Sequence, residues 1–354
     1  MILFTYGTRP EYLKVKPVID AFKKKGIEYK VMCTGQHKDI IPNDEDVYNL
    51  DIGKHGRLSF NRLDDVVATT LHFSNDMFNR FSLMARLNKT EDITHVLVQG
   101  DTTSVLSLAL SAFHHKKNVI HLEAGLRTND FKNPFPEEAN RQLVSRLAYI
   151  HLTPTTFSRD NLMLENISQE KIHVVGNTAL DNLTNYLDKS EYGDKVLVTL
   201  HRRENHDLID KWFYEIDQLS YKYNNLEFII PLHPNPNVQK HKHVFNNVTV
   251  IDPLNHDELL DLLVKSKIVI TDSGGIQEEC SFFKKKCLVC RKTTERPESV
   301  DLTSFLVEKP SMLETLFDKH VVDYIPVIHD CPYGDGDSSN KIVKLWNELI
   351  NIDE

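Results

Sequence analysis

Acids, histidines, basic residues and paired glycines recur in five short polar motifs, each just after an apolar run. The motifs are Gly7-Thr8-Arg9-Pro10-Glu11, Gly100-Asp101-Thr102-Thr103, His121-Leu122-Glu123-Ala124-Gly125-Leu126-Arg127, His201-Arg202-Arg203-Glu204 and Asp272-Ser273-Gly274-Gly275-Ile276-Gln277-Glu278-Glu279. Asp101 and Glu123 each lie just past an apolar run, and Glu137, Glu138 and Arg141 open a helical pattern after Phe135-Pro136. Carboxylates that converge on one ligand suit proton transfer and the stabilisation of a developing cation. The plainer alternative for Asp101 is a cap shared with Thr102 and Thr103, and for Glu137 a favourable charge at a helix start. Arg9 beside Pro10 suits a phosphate at a helix N-terminus, with Lys14 a turn further on, and its alternative is a surface ion pair. Gly274 and Gly275 let backbone amides approach a diphosphate while Ser273 offers a hydroxyl. A carboxylate one turn into that helix suits the two hydroxyls of a ribose, and the alternative is a plain capped helix. His201 and His233, each after an apolar run, are placed to stabilise a departing phosphate.

The elements that must position these groups are legible as β-branched runs between longer helical patterns. Strands are expected at 2–6, 29–34, 95–99, 118–122, 149–153 and 173–175, and in a second series at 195–200, 227–231, 248–251, 267–271 and 286–290. Near-continuous apolarity fits parallel strands covered on both faces, and the alternation with helices gives repeated βαβ units. The expected fold class is therefore α/β, with two Rossmann-like doubly wound domains and a cleft between them. The domains are expected at 1–180, carrying the acids, and 181–335, carrying the glycine motif. Residues 336–354 are read as a last helix packing back on the first domain. Residues 41–62, polar and rich in Asp and Asn, are read as a loop with a short helix. In open sheets of this kind ligands bind at the strand C-termini, so the motifs are expected to assemble one site for an anionic, phosphorylated ligand.

Composition narrows the class further. The 354 residues are 40% hydrophobic and 26% charged with a net charge of −9, ordinary for a soluble chain and against nucleic-acid binding by bulk charge. No apolar run approaches the roughly 18 residues of a membrane helix, and no signal peptide precedes the first strand, so a cytoplasmic location is expected. The five cysteines form no disulfide framework. Cys287 and Cys290 have C-x-x-C spacing but lie in an apolar run with no second ligand pair, which favours buried strand cysteines over zinc. Zinc on the histidines is the other metal reading, but none of the expected close ligand spacings such as H-E-x-x-H occurs.

In this order and spacing the motifs closely resemble the non-hydrolysing UDP-N-acetylglucosamine 2-epimerase family, which has the two-domain GT-B fold. Further matching blocks are Gly35-Gln36-His37, Pro136-Glu137-Glu138-Ala139-Asn140-Arg141, Gly176-Asn177-Thr178, Thr294-Glu295-Arg296-Pro297-Glu298 and Tyr333-Gly334-Asp335-Gly336. The resemblance implies inversion at sugar C2 through elimination of UDP and its re-addition to 2-acetamidoglucal, serving surface polysaccharide synthesis. It implies a UDP-sugar substrate, no metal, no cofactor and a homodimer. By matching position, Asp101, Glu123 and Glu137 resemble the acid/base group and His201 the residue that assists UDP departure. Arg9, Lys14, Arg141, His233, Ser273, Gly274, Gly275 and Glu279 resemble substrate and UDP contacts.

Two stretches depart from the family pattern. Gln36 and His37 match part of an activator site in bacterial members, but Asp39 and the segment to Arg62 do not follow, which counts against allosteric activation. Asn255-His256-Asp257-Glu258 lacks the aromatic that many members place near the uracil. The alternatives are epimerisation of a related UDP-2-acetamido sugar, a hydrolysing epimerase releasing N-acetylmannosamine and UDP, a GT-B glycosyltransferase, and a nucleotide-sugar sensor without turnover.

Overall fold

The computed structural model describes residues 1–34, 47–49, 93–132, 134–322 and 324–353. The chain divides into two compact units, Met1–Asn182 with Gly336–Glu354, and Leu183–Asp335.

The first unit is built on β1 (Ile2–Tyr6), β2 (Tyr29–Cys33), β3 (Val47–Asn49), β4 (His95–Gln99), β5 (Asn118–Leu122), β6 (Ile150–Thr153) and β7 (Ile172–Val174). They form one sheet in the order β3-β2-β1-β4-β5-β6-β7, every pair parallel. Alternate residues of each strand serve opposite faces. Ile2, Phe4, Leu97 and Ile120 pack under helices α1 (Arg9–Lys24) and the C-terminal helix Ser338–Asp353, through Val15, Val18, Phe22, Ile342 and Trp346. Leu3, Val96, Val98 and Val119 pack on the other face against α2 (Thr103–His114) and α3 (Glu137–Leu147). Burial on both faces explains why these strands are apolar almost throughout. Asp181 fixes the start of the C-terminal helix, accepting the Ser338 and Ser339 amides at 3.1 and 2.7 Å.

The second unit repeats the plan with β8 (Lys195–Thr199), β9 (Glu227–Pro231), β10 (Thr249–Ile251), β11 (Ser266–Thr271), β12 (Lys286–Val289) and β13 (Ser304–Leu306). The order is β10-β9-β8-β11-β12-β13, again parallel throughout. Trp212, Phe213 and Ile216 of the helix Ile209–Lys222 and Phe317 of the helix Leu313–Val321 fill one face of this core. Cys280, Cys287 and Cys290 are buried, and Cys287 Sγ lies 3.2 Å from Ser304 Oγ.

Both sheets reverse their winding at one point, between β1 and β4 in the first and between β8 and β11 in the second. The loops after such neighbouring strands run to opposite faces and leave a crevice at the strand C-termini. The motifs at Gly7, Gly100, His201 and Asp272 follow these four strands. Two edge strands were not expected. β3 falls in the stretch read as a loop and short helix, and β13 had no strand assigned. β7 and β10 are equally short but carry two and three β-branched residues, whereas β3 has one and β13 none. Gln36 and His37 lie outside the described residues. Among the described residues no helix is long and apolar enough to cross a membrane.

Candidate active site

The backbone turns sharply where β5 ends. Glu123 has a left-handed φ of 63° and Gly125 one of 87°. A Cβ at Gly125 would overlap the Ser158 carbonyl, so glycine is required there. A non-glycine residue in that region persists when its surroundings hold it, commonly at a functional site. Here Lys14 Nζ lies 2.6 Å from both Glu123 carboxylate oxygens, and the Gln99 amide donates to Oε2. At the end of β4, Asp101 accepts Arg141 Nε at 2.8 Å, and its carbonyl accepts Asn140 Nδ2 at 2.8 Å. Both donors stand on α3.

The two acids that open α3 have different surroundings. Glu138 is fully buried. Burial raises its pKa, but donors from Gln142, Thr128 and Asn129 and the Arg141 charge outweigh it and hold the carboxylate below its ordinary range. Glu137 is half-buried, and its Oε2 is buried with no hydrogen-bond partner. A buried acceptor left in that state is costly, so a ligand donor there would be favoured.

The start of α1 is capped from within the protein. Glu11 accepts the Gly7 and Thr8 amides at 2.5 and 3.1 Å and Thr102 Oγ1 at 2.7 Å, in a capping box with Thr8. Those two amides are therefore committed inside the protein and do not await a phosphate. Burial raises the Glu11 pKa against these bonds. Arg9 itself is exposed at the helix start.

In the second unit the fully buried Asp272 orders the loop after β8. Its carboxylate accepts the His201 amide at 3.0 Å, the Arg202 amide at 2.8 Å and Asn205 Nδ2 at 3.0 Å. The His201 ring stacks on His233 with centroids 5.0 Å apart and planes 10° apart. Burial lowers the His201 pKa, and Asp272 only partly opposes this. His233 Nδ1 accepts the Asn235 amide at 3.1 Å, which leaves Nε2 to carry the proton of the neutral ring.

The helix Gly274–Phe282 starts differently from α1. Ser273 makes no side-chain cap. A Cβ on Gly274 would meet Glu295 Oε1 at 3.7 Å and one on Gly275 would meet Ser273 Oγ at 3.9 Å, ordinary contacts at ordinary backbone angles. Neither strain nor packing requires glycine at either position. Further along, Glu278 pairs with Arg296, whereas Glu279 accepts His256 Nε2 at 3.0 Å on Oε1 and has its Oε2 buried without a partner. Arg291 bridges Glu204 at 2.7 Å and Glu295 at 2.6 Å. Among the described residues no cluster of three or more His, Cys, Asp or Glu could hold a metal.

A sequence model described as UDP-N-acetylglucosamine 2-epimerase matches residues 20–347. The chain belongs to the UDP-N-acetylglucosamine 2-epimerase family. The UDP-N-acetylglucosamine 2-epimerase of Salmonella borreze is 32% identical over 399 residues, covering 99% of this chain and 99% of that protein. The one from Campylobacter jejuni is 34% identical over 390 residues, covering 97% of this chain and 96% of its own length. The crystal structure of UDP-GlcNAc 2-epimerase from Neisseria meningitidis bound to UDP-GlcNAc has a TM-score of 0.83 and 35% identity, covering 98% of this chain and 99% of that one. The two doubly wound units are thus the two-domain α/β fold, of GT-B type, that this epimerase family has.

For this epimerase-family chain the structure brings the first unit's groups together as two ion pairs, Lys14–Glu123 and Asp101–Arg141, with Glu137 at the start of the helix that carries Arg141. In the second unit it stacks His201 on His233 and sets Ser273, Gly274, Gly275 and Glu279 on one helix turn and its approach. Sequence reasoning did not single out Gln99, Asn140, Asn205 or His256. Asn140 and His256 lay inside quoted stretches, but Asn205 meets its partner 67 positions away and no local spacing reveals that.

His121, in the strand that leads to Glu123, donates from Nε2 to the Gly100 carbonyl at 2.8 Å and so braces the turn into Asp101. It pairs in register with His151 on β6. Burial first of all lowers both pKa values, to about 4 for His121 and about 3 for His151. The unfolded chain therefore binds protons below pH ~6.5 that the folded chain refuses until about pH 4, and stability falls as the pH drops through that window. Each histidine steepens the fall by up to about 1.4 kcal/mol per pH unit. Urea midpoints measured between pH 7.5 and 5 should show this, and His151→Leu should flatten the slope. An unchanged slope in that variant would mean that His151 titrates normally in the fold.

Proposed function

We propose that this chain is a non-hydrolysing epimerase that converts UDP-N-acetylglucosamine to UDP-N-acetylmannosamine, as a cytoplasmic homodimer supplying surface polysaccharide synthesis. A C2–H with no adjacent carbonyl is a weak acid. Breaking the C1–O bond first gives C1 oxocarbenium character and makes the C2 proton removable. A carboxylate takes that proton, the C2–H electron pair forms the C1–C2 double bond, and the C1–O pair, whose cleavage leads, goes with UDP in an anti elimination. The reverse addition to 2-acetamidoglucal delivers a proton to the other face of C2 and restores the phosphate ester.

In this reading Asp101, Glu123 and Glu137 move protons and stabilise the cation, and His201 assists the departing UDP. Arg9, Lys14, Arg141 and His233 contact the substrate, Ser273, Gly274 and Gly275 hold the diphosphate, and Glu279 accepts the ribose hydroxyls. The observation that carries it is the set of three acids about the ends of β4 and β5 and the start of α3, which a nucleotide-sugar binder or a plain transferase has no need of. The relative of known structure that is bound to UDP-GlcNAc supports the choice of sugar.

The test is to incubate the protein with UDP-N-acetylglucosamine in deuterated water and follow proton and phosphorus NMR. Deuterium at C2 with UDP-N-acetylmannosamine and an intact diphosphate ester is the expected result. Free UDP with N-acetylmannosamine would make the enzyme hydrolysing. No exchange would overturn this substrate and direct the test to related UDP-2-acetamido sugars.

A further inference from the structure

Where the family resemblance calls for an aromatic near the uracil, this chain has Asn255-His256-Asp257-Glu258. His256 is the first residue of the helix His256–Val264, and a reciprocal cap fixes that helix start: Asn255 Oδ1 accepts the Glu258 amide at 3.0 Å and Glu258 Oε2 accepts the Asn255 amide at 2.9 Å. From this fixed position the half-buried imidazole reaches the helix Gly274–Phe282 and meets Glu279 Oε1 at 3.0 Å. A carboxylate can only accept, so His256 Nε2 carries the proton. The terminal torsion of a glutamate is broad, and a single firm donor on one oxygen sets the plane and hence the aim of the other. That other oxygen, Oε2, is buried and has no partner. Glu278, the adjacent acid, is engaged by Arg296 and offers no substitute.

We infer that His256 is a positioning residue that sets ribose selectivity: by holding Glu279 Oε1 it aims Oε2 at the hydroxyls of the bound nucleoside diphosphate. The inference rests on the reading of Glu279 as the ribose acceptor. It assigns to this chain an imidazole-to-carboxylate contact as the device that fixes the nucleoside end of the substrate. Because His256 acts through Glu279, its loss should weaken only the part of binding that depends on ribose hydroxyls.

Calorimetric titration of the full chain with UDP, 2′-deoxy-UDP and 3′-deoxy-UDP separates the two claims. Wild type should prefer UDP to the weaker deoxy ligand by roughly tenfold, the worth of one hydrogen bond to a charged group. Glu279→Ala should abolish that preference; if the preference survives, the ribose reading of Glu279 is wrong. His256→Ala should weaken UDP by several fold and leave the weaker deoxy ligand within about twofold of wild type, while His256→Gln, which keeps a donor, restores part of the preference. Loss of preference in Glu279→Ala but not in His256→Ala would overturn the inference and leave the ribose reading intact. Equal weakening of all three ligands in both His256 variants would also overturn it, showing a merely structural role.

Discussion

Glu123→Gln should abolish epimerisation and C2 deuterium exchange while UDP still binds within about threefold of wild type. General acid–base groups contribute about 10²–10⁴-fold, and a neutral amide neither takes up nor delivers the proton. The side chain is nearly isosteric, and the backbone at φ 63° is unaffected by the exchange of an oxygen for a nitrogen. Lys14 loses its partner charge, but it is 21% exposed and can keep some hydration. The groups assigned to the diphosphate turn and the ribose, Ser273, Gly274, Gly275 and Glu279, stand in the other unit, so the change separates chemistry from that part of binding. Circular dichroism melts would confirm that the variant folds, and calorimetry would give the UDP affinity. Turnover at the wild-type rate would remove Glu123 from the mechanism. A loss of UDP affinity matching the loss of rate would instead make it a binding group.

The pattern that made the fold legible was local. Five-residue strands such as Ile2–Tyr6 and Lys195–Thr199 are apolar almost throughout because helices cover both faces of a parallel sheet, and such runs stand out against the polar helix surfaces. Four edge strands have three residues and one neighbour each. Ile172–Val174 and Thr249–Ile251, with two and three β-branched residues, were legible, whereas Val47–Asn49 has one and Ser304–Leu306 none. Strand order is a long-range property. The reversal of winding beside β1 and beside β8 is carried by no residue pattern, yet it decides which motifs flank a crevice.

The candidate site divides in the same way. A polar residue just past an apolar strand is visible in sequence, which is how Asp101, Glu123, His201 and Ser273 were singled out. Their partners are not. Lys14 and Glu123 are 109 positions apart, and Asp101 and Arg141 are 40 apart. Glu137 and Glu138 look equivalent in sequence, but adjacent helix positions point about 100° apart. One is fully buried among four donors and the other keeps a buried oxygen without a partner. Asp272 reads as part of a glycine motif, and only the fold shows it ordering the loop that carries His201.

Gly275→Ala should lower UDP affinity by roughly 100-fold, the loss of about 3 kcal/mol of charge-assisted backbone contact, while making the free protein slightly more stable. Opposite signs are expected because, in the proposed reading, the glycine serves a ligand and the fold does not need it. Gly275 lies in the first turn of the helix Gly274–Phe282, is exposed, and a Cβ there would meet nothing closer than Ser273 Oγ at 3.9 Å. In a helix alanine is favoured over glycine by about 0.5–1 kcal/mol, less near an end, so the melting temperature without ligand should rise by roughly 1–2 °C. A diphosphate held against the first-turn amides would meet the new methyl group directly. The rise in melting temperature that UDP confers on wild type should therefore vanish in the variant. Unchanged UDP affinity would move the diphosphate away from this turn. A lower melting temperature without ligand would mean that the fold itself requires glycine here.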